Sequence, residues 1–110
     1  MMEDRMQKIE ARIQEAPGLP ETEREKLLQL VSTLREEVDA LAKGQEEDAR
    51  SIAHFLDAST HEASRAEKQP KLLEAARDGL TASVEHFESS HPRLFETVNQ
   101  AAVILGNMGL

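Results

Sequence analysis

Between Leu27 and Leu41 the chain sets an apolar residue at every third or fourth position: Leu27, Val31, Leu34, Val38 and Leu41. Alternating steps of 4 and 3 put these side chains on one stripe of a helix but scatter them over both faces of a strand. The segment therefore folds as an amphipathic helix with a heptad seam. Leu28 and Leu30 widen that seam. Glu21, Glu23 and Glu25 place negative charge at the positive end of the helix dipole. Pro20 suits a first helical turn, while Thr22 with Glu25 fits a capping box, so two starts are open. Gly44 is either a stop or a weak point inside one longer helix, costing about 1 kcal/mol relative to Ala.

The same period runs through the rest of the chain. Met2, Met6, Ile9, Ile13 and Ala16 form a first stripe, which Pro17-Gly18-Leu19-Pro20 interrupts. Ala49, Ile52, Leu56, Ser59, Ala63 and Ala66 predict a middle helix up to about Lys68, with Phe55 beside the bulky end. Small residues at its later positions bury little area, so that end is expected to be the less stable one. Leu73, Ala76, Leu80, Val84 and Phe87 predict a fourth helix from about Pro70 to Ser89, with Leu72 widening it and Gly79 marking a close contact. Leu94, Val98, Ala101, Leu105 and Met108 line a last helix that starts at Pro92, with Ser90 or His91 as cap and Asn107 and Gly109 suited to its end. No stretch alternates with period two, and no Asn-Gly hairpin signal is present.

The expected fold is all-α: an antiparallel helical bundle, or long helical hairpins, of about five helical segments. It forms a single domain over 1–110, made of a helical hairpin (1–43), an additional middle helix (45–69) and a C-terminal helix pair (70–110). Bulky apolar side chains are few for a lone globule of this length. The stripe on the second helix and the neutral last helix are therefore read as surfaces that need a partner. Self-association is the expected explanation, and a monomer whose helices satisfy one another is the alternative.

Composition removes several classes. Without cysteine there is no disulfide, no thiolate zinc site and no cysteine nucleophile. The net charge of −8 is spread as −3, −3 and −2 over residues 1–44, 45–69 and 70–110, which marks solvated helix faces and no acidic arm. Basic residues are densest around Arg24, Lys26, Arg35 and Lys43, but glutamates interleave them, so no nucleic-acid stripe develops. A membrane partner is not expected either. The uncharged stretch from Thr97 to Leu110 is far short of the roughly 20 residues that span a bilayer, and the polar faces are acidic. No apolar signal segment precedes the first stripe, so a cytoplasmic location is the default expectation.

The C-terminal third carries a more specific pattern. Phe87-Glu88-Ser89-Ser90-His91-Pro92-Arg93-Leu94, followed by Ile104-Leu105-Gly106-Asn107-Met108-Gly109-Leu110, resembles the ending of a family of small bacterial proteins of unknown function. Its members close with FE-x-SHP-x-L and then L-x-NMG followed by Ile or Leu. The front is similar too: a short amphipathic helix, a proline turn, an acidic helix start and a Leu-rich helix. The resemblance covers about residues 2–43 and 70–110, leaving 45–68 as an expanded middle. It implies a small, soluble, helical bacterial protein and carries over no activity, cofactor or catalytic residue.

Physical chemistry reads Phe87, Glu88, Ser90, His91 and Pro92 first as a tight corner, with polar side chains capping free backbone groups. The competing reading is a ligand or metal site at Glu88 and His91, because Glu-x-x-His is the di-iron bundle spacing. That chemistry needs a second copy, and none exists. His54 and His61, with Asp57 between them, stand two turns apart, too far to share one ion comfortably. No phosphate loop and no G-x-S-x-G elbow is present. The expectation is a non-enzymatic structural or protein–protein interaction module without cofactor. It self-associates or docks a partner helix through Leu27, Val31, Leu34, Val38 and Leu41, and through Leu94, Val98, Ala101, Leu105 and Met108.

Overall fold

The apolar stripes fold as expected, and they fold onto one another. The computed structural model describes residues 2–108, without the side chains of Met2 and Glu3. The Met2 side chain as a stripe member, and Gly109 and Leu110 as the end of the chain's last motif, thus lie outside what is described. Five α-helices follow in order: α1 (Met2–Glu15), α2 (Glu21–Ala42), α3 (Glu46–Ala63), α4 (Pro70–Ala82) and α5 (Pro92–Met108). A single 3₁₀ turn, Glu85–Phe87, separates the last two. Among the described residues there is no strand.

α2 packs against α3 and α5, and α4 packs against the same two helices, so these four close into a ring. α1 lies outside that ring, in the groove between α2 and α3. Its stripe of Met6, Ile9, Ile13 and Ala16 is buried there. The radius of gyration is 12.8 Å, against roughly 13 Å for a compact domain of this length. Five helices thus complete one core within a single chain, contrary to the expectation that two stripes need an outside surface.

Local chemistry explains each boundary. Pro17 stands two residues beyond the end of α1, and Gly18 turns the chain with φ of +74°, the left-handed region open to glycine. Pro20 is the residue that caps α2: Arg24 N donates to its carbonyl at 2.9 Å, and no side chain caps the start. The Thr22–Glu25 capping box therefore does not form, because Thr22 already lies inside the first turn. α2 stops at Ala42, and Gln45, at φ −138° and ψ 63°, leaves helical geometry, so α2 and α3 are separate helices. α3 ends at Ala63, short of the expected Lys68, and leaves Ala66 exposed. The Lys68 ammonium donates to the Ala63 carbonyl and serves that end.

α4 also ends earlier than its stripe predicts, at Ala82 and not Ser89. Ser83 Oγ donates back to the Leu80 carbonyl at 2.6 Å, and the backbone tightens into the 3₁₀ turn. That turn keeps Val84 and Phe87 buried, so the apolar spacing survives while the helix does not. The close contact anticipated at Gly79 is real: a Cβ there would collide with the Phe55 ring of α3.

Candidate functional site

The two stripes read as interaction surfaces are core. Leu27, Val31, Leu34 and Val38 are fully buried and Leu41 is nearly so. Leu94, Val98, Ala101 and Leu105 are likewise buried, and Met108 packs half-buried against them. The reason is the ring: α2 and α5 are neighbours in it, and each stripe covers the other. Each needed a partner, and the partner belongs to the same chain.

The Phe87–Pro92 corner is a packed turn. Phe87 is buried, with the His86 ring tilted at 4.0 Å on one side and the His91 ring edge-on at 5.1 Å on the other. Phe87 and Leu94, on either side of the corner, both join the core. The His91 carbonyl accepts from Phe95 N at 3.0 Å and opens α5 with Pro92 at its first position. Ser90 Oγ pairs with His91 Nδ1 at 3.0 Å, so the hydroxyl serves the imidazole and not a free backbone N–H. Glu88 is exposed and, among the described residues, has no hydrogen-bond or ion-pair partner. Nothing brings it to His91. Among the described residues no group of three or more His, Asp or Glu is arranged to hold a metal. Asp57, between His54 and His61, is engaged by Arg12 at 2.8 Å. Both of those histidines are exposed.

Side-chain chemistry concentrates where no local motif pointed. Arg24 reaches back from α2 and donates to the carbonyls of Ile13 (2.6 Å), Gln14 (2.9 Å), Ala16 (3.0 Å) and Leu19 (3.2 Å). Carbonyls at the end of α1 (Ile13, Gln14) and in the turn beyond it (Ala16, Leu19) thus share one guanidinium fork as donor. Glu10 and Arg35 pair at 2.8 Å across α1 and α2. Arg77 Nε donates to the Ala102 carbonyl at 2.7 Å and lies over Gly106, where a side chain would displace it. Two members of the basic group around α2, Arg24 and Arg35, thus hold the fold together. These links join residues 5 to 25 positions apart, so spacing offered no sign of them.

What stays open is small. Among the described residues Leu72 and Val103 are the exposed large apolar side chains, at 50% and 58%. Val103 sits between exposed Gln100 and Asn107 on the outer stripe of α5, and beyond Glu96 that helix carries no charge. A cleft of about 360 Å³ opens at one end of the bundle, lined by the Pro17–Pro20 turn, Glu23, Lys68, Asn107 and Met108. Among the described residues no helix is long and apolar enough to cross a membrane.

Closed ring, fifth helix and packed corner define a small all-α bundle. The chain belongs to a family known as a domain of unknown function, DUF4404, whose model matches residues 2–110. The matched span includes the middle helix, α3. No curated protein and no solved structure matches it.

Proposed function

We propose that this chain is a cytoplasmic, non-enzymatic helical module that associates weakly with a second copy of itself through the outer stripe of α5. The observation that carries the reading is the neutrality of that stripe. α1, α2, α3 and α4 all expose charged side chains, and α5 exposes Gln100, Val103 and Asn107 beyond Glu96. Two chains of charge −8 repel each other. They approach at least cost through the face that lacks charge, and Val103 supplies apolar area there. One helix stripe falls short of the ~800 Å² per partner of a standard interface, so the dimer is a weak one. Added salt screens the repulsion and strengthens it.

Sedimentation equilibrium from micromolar to millimolar protein tests this. The expected result is a monomer–dimer equilibrium that tightens with salt and disappears in Val103→Glu while the helical spectrum is retained. A monomer at every concentration, or a dimer indifferent to Val103→Glu, would overturn the reading.

A further inference from the structure

We infer that α1 is a lid that opens as a unit from a ring that closes without it. The four ring helices each have at least two neighbours within the ring, with α3 and α5 also touching across it, whereas α1 packs on α2 and α3 alone among the well-packed pairs. Removing any ring helix opens the core from inside. Lifting α1 leaves every ring contact in place and uncovers one groove between α2 and α3.

The fastenings of α1 are of two kinds. Met6, Ile9, Ile13 and Ala16 hold it by burial. Among the described residues its ion pairs to other helices are Glu10–Arg35 and Arg12–Asp57, whose side chains stay 28% to 33% exposed. Partly hydrated pairs of this kind hold weakly. At the hinge, Pro17 and Pro20 keep α1 from merging with α2 into one helix, and Gly18 takes the turn. Arg24 is the latch: anchored in α2 and only 14% exposed, it grips four carbonyls from Ile13 to Leu19. Elements of low contact density at the edge of a core open sub-globally, ahead of the whole molecule.

Native-state hydrogen exchange of the full chain, resolved by residue, tests this. Amides from Ile9 to Ala16 are expected to exchange together, at least about tenfold faster than those of Leu34, Leu56, Val98 and Ala101, and with a smaller denaturant dependence. Arg24→Ala is expected to speed the α1 amides several-fold and leave the ring amides unchanged. Exchange of α1 at the same free energy and denaturant slope as the ring would overturn the inference. So would an Arg24→Ala variant that shifts both sets equally. If that variant does not fold, the wild-type pattern alone decides.

Discussion

Replacing Gly79 by alanine separates helix propensity from packing, because the two make opposite predictions at this position. In the interior of a helix such as α4, alanine is worth about 1 kcal/mol over glycine. Here the new methyl group would overlap Cδ1 and Cε1 of Phe55. That ring is partly buried against the core, so it cannot swing aside freely. Overpacking of this kind costs about 1–3 kcal/mol. The two terms together give a net loss of about 1 kcal/mol for Gly79→Ala. In a Phe55→Ala background the clash is gone, and the same substitution is expected to stabilise by about 1 kcal/mol. The sign change corresponds to a coupling of about 2 kcal/mol between the two sites. Urea unfolding followed by far-ultraviolet circular dichroism, on all four members of the cycle, measures it. Stabilisation by Gly79→Ala in the wild-type background, or equal effects in both, would refute the close contact of α3 and α4.

Two further substitutions probe the core. Leu34→Ala, at a fully buried position on the α2 stripe, is expected to cost about 3 kcal/mol and leave the solution mass of the folded protein unchanged; a change in mass at little cost in stability would return this stripe to an interface. Ser59 is fully buried and its hydroxyl has no hydrogen-bond partner among the described residues. Ser59→Ala is therefore expected to raise stability by about 0.5–1 kcal/mol in thermal or urea unfolding, and a loss would reveal a partner for that oxygen.

Much of the secondary structure was legible because helical period and burial report the same thing. Every residue of the Leu27–Leu41 stripe is buried, as is the described part of the first stripe. The boundaries were less legible. Thr22 and Pro20 both suited a helix start, and the winner depended on where the chain leaves the Pro17–Pro20 turn. The fourth stripe ran past the end of its helix because a 3₁₀ turn keeps Val84 and Phe87 facing inward. The candidate surfaces failed for a different reason. An apolar stripe states that it must be covered, and says nothing about which helix covers it.

That distinction separates the two sources of information about this protein. Side-chain order alone determined an all-α chain with charge on its outer faces, a proline break at residues 17–20 and a packed corner at Phe87–Pro92. These follow from helical periodicity and from residues whose backbone preferences act within a turn or two. Only the tertiary structure decided that α2 and α5 cover each other, that α1 stays outside the ring, and that Arg24 fastens it. Those outcomes rest on contacts between distant positions, where the energy of meeting depends on the three-dimensional path of the whole chain. The same path left the outer stripe of α5, around Val103, as the neutral face still uncovered.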